Sequence, residues 1–146
     1  MADPLLLQPF YEALSALARA YQLRDRSTLL VEGVTVTECY ALEAVIRDPG
    51  CSVTAVAREL GLNKSSASRA ILALEGRGLL RRAEDPTEHR AVRLQSTARG
   101  RALHRRVVTR VVAEYRGLLA SISPPRRRQL VDTLGRLAEV TRKRLA

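Results

Sequence analysis

A chain of 146 residues with a net charge of +10 and 46% apolar residues has room for one ordinary domain, or for a small reading head with a helical extension. Its apolar content excludes wholesale disorder. No apolar run approaches the roughly 18–20 residues that span a bilayer, Asp3 stands where a signal peptide carries basic residues, and Cys39 and Cys51 make neither a disulfide framework nor a metal-ligand set, so the expectation is a cytoplasmic protein without metal or cofactor.

The aromatic residues are Phe10, Tyr11, Tyr21, Tyr40 and Tyr115, and a core must therefore be assembled from Leu, Val, Ala and Ile, which suits packed helices. The charge is uneven. Residues 1–51 carry 4 basic and 7 acidic side chains, residues 52–96 carry 8 and 5, and residues 97–146 carry 13 and 3. A basic balance that begins at residue 52 favours a polyanionic partner, nucleic acid being the commonest.

In residues 4–23 the positions Leu6, Phe10, Leu14, Leu17, Ala18 and Tyr21 recur at steps of three and four, an amphipathic helix that the polar residues 24–28 are expected to end. Thr35 and Glu38 have the spacing of a capping box, in which each side chain satisfies the other's backbone amide. The helix they start is stopped by Asp48-Pro49-Gly50. Ser52 or Thr54 can cap the next helix, which turns Val53, Val56, Ala57 and Leu60 inward, and Gly61 can take the left-handed conformation that closes it. Asn63 then caps a helix over residues 64–75. Ala67, Ala70, Ile71 and Leu74 form its inner stripe, and Lys64, Ser65, Ser66, Ser68, Arg69 and Ala73 its outer face.

Gly76 and Gly78 end that helix, and residues 79–83 and 91–95 read as two strands around a long charged tip, residues 84–90. Ser96 or Thr97 caps a long helix with Leu103, Val107, Val111, Tyr115, Leu118 and Ile122 on one face. Ser123-Pro124-Pro125 breaks it and starts a last helix carrying Leu130, Val131, Leu134, Leu137 and Val140. Two short helices joined by a tight turn and followed by a charged hairpin make the outline of a winged helix-turn-helix. The fold class is thus mainly α with a small antiparallel β-hairpin. Residues 35–96 form the DNA-binding part, and residues 1–34 and 97–146 a helical dimerisation region.

The element order, together with T-A-V-A-R-E-L-G-L-N-K-S-S-A-S-R, D-P-T-E-H-R-A-V-R-L and the T-A-R-G start of the long helix, resembles the MarR family of bacterial transcription regulators. The resemblance covers nearly the whole chain and implies a homodimer that binds a palindromic operator on double-stranded DNA, released by a small molecule or a thiol-reactive signal. The family's wing usually reads Asp-Arg-Arg where this chain has Glu88-His89-Arg90, which leaves Arg90 as the matching wing-tip arginine.

A recognition helix reads bases from its N-terminal half, which here holds Lys64, Ser65, Ser66, Ser68 and Arg69. Arg90 suits a minor groove, Arg81, Arg82 and Arg93 on the hairpin stem suit phosphates, and Asp85 and Glu88 are expected to position the wing. Cys39 sits in the first turns of a helix, where the dipole lowers a thiol pKa and Glu38 opposes that effect, so it is either an oxidant sensor or a small buried core residue. A Cys39–Cys51 bridge is disfavoured because a helix from 39 to 47 advances about 12 Å. The resemblance also implies a crevice for a small aromatic ligand, with Tyr11, Tyr21, Tyr40 and Tyr115 as candidate lining or ordinary core.

His89 and His104 are isolated, and no metal spacing or Gly-rich phosphate loop occurs, so an enzyme is not expected. The competing readings are a non-specific nucleoid-type DNA binder and a helical protein-interaction module.

Overall fold

The computed structural model describes the backbone of residues 4–84 and 92–145, and their side chains except those of 26–31, 84 and 145. The elements run α1 (Pro4–Val31), α2 (Val36–Arg47), α3 (Val53–Glu59), α4 (Lys64–Gly76), β1 (Leu80–Glu84), β2 (Val92–Ser96), α5 (Ala98–Ala120) and α6 (Pro124–Leu145). The chain divides into two compact units, residues 1–108 and 109–146, with the division inside α5.

In the first unit α2, α3 and α4 start where the caps predict. The Thr35 hydroxyl accepts from the Glu38 amide at 3.1 Å, and Glu38 Oε2 accepts from the Thr35 amide at 3.2 Å, a complete capping box. Ser52 is the cap of α3, its Oγ accepting from the Ala55 amide, and the Asn63 Oδ1 takes the Ser66 amide at 2.8 Å to start α4. Gly61 closes α3 at φ +62°, a conformation that costs other residues a Cβ clash.

The first helix differs from its sequence expectation. It does not end at residues 24–28 but continues to Val31. Polarity alone does not stop a helix; a breaker or a competing cap does. The first such residue is Gly33, at φ +69°. Arg24 and Asp25 moreover satisfy each other on the helix surface, with Arg24 Nε donating to Asp25 Oδ1 at 2.9 Å, and the Arg24 guanidinium lies 4.4 Å from the Tyr21 ring centroid.

The core of this unit is aliphatic and small. Leu42 and Val45 of α2, Val56 of α3, Ile71 and Leu74 of α4 and Leu94 of β2 are its largest fully buried side chains. The β1–β2 ribbon is antiparallel, with Arg81 opposite Gln95 and Arg82 opposite Leu94, one residue later on each strand than the sequence pattern suggested. The Thr97 hydroxyl accepts from the Gly100 amide at 3.0 Å and donates to the carbonyl of Gly78 at 2.7 Å. One side chain therefore caps α5 and ties it to the turn that ends α4. Leu103 and Val107 are buried beneath that start.

In the second unit Pro124 opens α6 directly after Ser123, whose carbonyl accepts from the Arg126 amide at 2.9 Å. Val131, Leu134, Leu137 and Val140 lie along α6 at steps of three and are all exposed, as are Leu6, Phe10, Leu14 and Leu17 on α1 in the first unit.

Candidate nucleic-acid interface

The α3-turn-α4 corner is rigid for reasons that can be named. Leu62 donates its amide to the Ala57 carbonyl at 2.9 Å across the turn, Val56 and Ala57 are buried on α3, and Ala67, Ala70, Ile71 and Leu74 are buried on α4. With those four residues inward, the outer side of α4 carries Lys64, Ser65 and Arg69, all exposed, flanked by the half-buried Ser66 and Ser68. Arg69 Nη2 donates to Ser66 Oγ at 3.2 Å, so the guanidinium is held against its own helix.

The far end of α4 is held by two ion pairs. Arg77 Nη1 lies 3.3 Å from Glu38 Oε2, the same carboxylate that completes the capping box of α2, and Arg82 Nε donates to both carboxylate oxygens of Glu75, at 3.0 and 2.9 Å. Glu38 is thus shared between a helix cap and the residue that follows α4.

The hairpin arginines separate into two faces. Residues directly opposite on an antiparallel ribbon share a face, and Leu94, opposite Arg82, is fully buried. Arg82 therefore lies on the side turned toward α4, where Glu75 receives it. Arg81 and Arg93 alternate onto the other face. Arg81 Nη2 donates to its partner Gln95 Oε1 at 2.7 Å, and Arg93 Nη1 reaches the Gly50 carbonyl at 3.2 Å. Asp85, Glu88 and Arg90, expected at the tip of the wing, lie outside the described residues.

Of the tyrosines in the first unit, Tyr21 and Tyr40 come to one cluster and Tyr11 does not join it. Tyr40 donates its hydroxyl to Asp25 Oδ2 at 3.0 Å, and this brings it to the Tyr21–Arg24–Asp25 cluster of α1. Burial first, then the bond to Asp25, pushes its pKa up to about 12. Tyr11 is exposed, ten residues and about 15 Å up α1 from Tyr21, and Tyr115 belongs to the second unit. Cys39 is buried beside this cluster. Loss of water, with Glu43 and Asp25 adding their charge, pushes its thiol up to about 11. Cys39 and Cys51 are both free thiols.

Two features of this region escaped the sequence pattern. One is Leu72, exposed on the outer side of α4, where the pattern pointed to Ala73; laying residues out at 100° steps would have found it. The other is Gly100, where any Cβ would run into the backbone of Leu79, and for which only the T-A-R-G match gave a signal. Among the described residues no His, Cys, Asp and Glu group is arranged to hold a metal ion, and no helix is long and apolar enough to cross a membrane.

A family model described as the MarR family matches residues 32–91. An HTH-type transcriptional repressor of Mycobacterium bovis is 29% identical over 105 residues, which is 72% of this chain and 76% of that protein. A MarR family protein from Bacillus stearothermophilus has the same fold, with a TM-score of 0.88 at 18% identity over 97% of this chain and 99% of the other. The Streptococcus pneumoniae FabT, solved in complex with DNA, superposes with a TM-score of 0.78 at 18% identity over 93% of this chain and 97% of its own. The helix-turn-helix of α3 and α4 with its β1–β2 ribbon, the family match over residues 32–91 and the similarity to transcriptional repressors agree: residues 32–91 match the MarR family, and the chain is similar to its transcriptional regulators in sequence and in fold.

Proposed function

We propose that the protein is a sequence-specific regulator that binds a palindromic operator as a homodimer, presents α4 to the major groove and is released by a small molecule. The observation that carries the sequence-specific part is the outer face of α4. A capped, buried-backed helix exposes Lys64, Ser65 and Arg69, with the half-buried Ser68 beside them, and among the described residues Ser66 engages Arg69. Short hydroxyls permit close approach to base edges, and an arginine can bond a guanine twice. Lys64 and Ser66 suit the flanking phosphates, as do Arg81 and Arg93 on the outer face of the ribbon. Arg90 at the wing tip is assigned to the minor groove, with Asp85 and Glu88 holding it, on the family resemblance alone.

The dimer is supported by the two exposed apolar stripes on α1 and α6, each of which loses water if covered by a second copy. On this reading residues 1–34 and 97–146 are the dimerisation region. Sedimentation at micromolar concentration should return twice the chain mass of 16.2 kDa; a single chain mass would overturn it.

Release by a small aromatic molecule is favoured over thiol chemistry. Cys39 is a buried thiol held protonated well above neutral pH, whereas Tyr21, Arg24 and Tyr40 offer rings and a guanidinium around Asp25. Tyr11, about 15 Å along α1 from Tyr21, is not assigned to it, and Tyr115 belongs to the second unit.

A mobility shift on the DNA upstream of the protein's own gene, with random competitor at two salt concentrations, tests the whole reading. Binding should survive competitor and fall steeply with salt. Equal loss to competitor would make it a non-specific DNA binder, and no shift at all a protein-interaction module.

A further inference from the structure

We propose that Leu72 is a specificity-determining residue that reads the 5-methyl group of a thymine beside the base contacted by Arg69. The inference rests on the assignment of α4 to the major groove made above.

Leu72 is the one large apolar side chain of α4 left in water, at 56% exposure, while Ala67, Ala70, Ile71 and Leu74 are buried. Its place on the helix is decided by the period. Seven residues at about 100° each bring it within roughly 20° of Ser65, and it stands three residues, one turn, beyond Arg69. Ser65, Arg69 and Leu72 therefore occupy a single outward strip, opposite the buried stripe.

Arg69 does not shield it. The hydrogen bond to Ser66 Oγ draws the guanidinium toward the Ser66 flank, which lies on the other side of Arg69 from Leu72 around the helix. A leucine on a helix leans back toward the N-terminus, so its methyl groups incline toward the turn that carries Ser68 and Arg69. The rise from Arg69 to Leu72 is about 4.5 Å, comparable with one base-pair step of about 3.4 Å.

The chemistry that matches this strip is particular. The major groove displays hydrogen-bonding atoms on every base pair, and its one apolar group is the thymine methyl. Serines at 65 and 68 are too short to hold the helix away from the bases, and Leu72 is then the side chain with both the reach and the polarity to cover that methyl. An isolated exposed leucine is unremarkable on a protein surface; one that shares a strip with the base-reading residues becomes buried when they dock.

The test uses the full-length protein and removes a methyl group from the DNA. Binding sites are first enriched from a duplex library with a randomised core, and each thymine of the enriched site is then replaced by deoxyuridine. Wild type should lose roughly fourfold in affinity, the worth of burying one methyl group, at one thymine per half-site. Leu72→Ala should bind thymine and uracil there equally well, keep the preference for the base contacted by Arg69, and retain the wild-type circular dichroism spectrum and melting temperature. Leu72→Met, which keeps apolar reach, should restore part of the methyl sensitivity.

If wild type is indifferent to every replacement, or if Leu72→Ala loses as much as wild type at the same thymine, the inference is overturned while sequence-specific binding stands. If no sequence is enriched at all, the assignment of α4 fails and Leu72 falls with it.

Discussion

A Cβ atom built on Gly100 would lie 2.1 Å from the carbonyl oxygen of Leu79 and 3.2 Å from Leu42 Cδ1. Gly100 sits in the first turn of α5, and Leu79 precedes β1, so the absence of a side chain lets the long helix start directly on the backbone between α4 and the wing. Thr97 locks the same junction through its bonds to Gly78 and Gly100.

Gly100→Ala should therefore destabilise the fold by about 3 kcal/mol or more, at the upper end of what overpacking costs, because the obstructing atom is backbone and cannot rotate away. Urea denaturation of the two proteins, compared through their midpoints, measures this. Gly76→Ala is the control, since nothing lies within 4 Å of a Cβ there, and it should be neutral or slightly stabilising through helix propensity.

The caps were the most legible part of the fold. Thr35 with Glu38, Ser52 and Asn63 each announce a helix start by chemistry local to a few residues, and each cap is formed as its spacing implies. The end of α1 was illegible because Arg24 and Asp25 look like a polar stop until one sees that they pair with each other. For the candidate site the sequence names residues but not their geometry. Nothing in the order Leu80-Arg81-Arg82-Ala83 says which arginine faces α4; that follows from the register opposite Leu94. Gly100 and Leu72 went unread because their roles depend on contacts with residues far away in sequence or on a third dimension of the helix surface.

The Cys39 thiol gives stability a definite pH dependence. Its pKa is raised from 9.0 to about 11 in the folded protein, so the folded state holds the proton more tightly than the unfolded chain. The corresponding stability is fully present below about pH 9 and is lost as pH rises through 11, an effect on the order of 2 kcal/mol for a buried group. The urea midpoint should fall between pH 9 and 11, and the fall should be shallower in Cys39→Ala whatever that variant's absolute stability. Wild-type Cys39 should also resist alkylation at pH 7.5 until the protein is unfolded.

Arg69→Ala should lose discrimination between the enriched site and random DNA by roughly 1–3 kcal/mol. On the proposed base-reading role the loss should appear mainly on the specific sequence. Titration of both DNAs at one salt concentration measures it, and equal losses on the two would remove Arg69 from base reading and leave it a phosphate contact.

Arg81 and Arg82 are neighbours that should behave differently. Arg81 is on the outer face of the ribbon, exposed and held by the neutral Gln95, so its charge is available to a phosphate. Arg81→Ala should weaken binding to all sequences alike and reduce the slope of log affinity against log salt by about 1. Arg82 is neutralised by both oxygens of Glu75, and it braces β1 against α4. Arg82→Ala should leave the salt slope unchanged. Its cost in fold stability should be small, about 0.2–1 kcal/mol, because the pair is partly exposed, and it should loosen the wing relative to α4, seen as faster amide exchange in β1. A fall in salt slope for Arg82→Ala equal to that of Arg81→Ala would show that Glu75 releases the arginine when DNA arrives, and would return Arg82 to the phosphate-binding set.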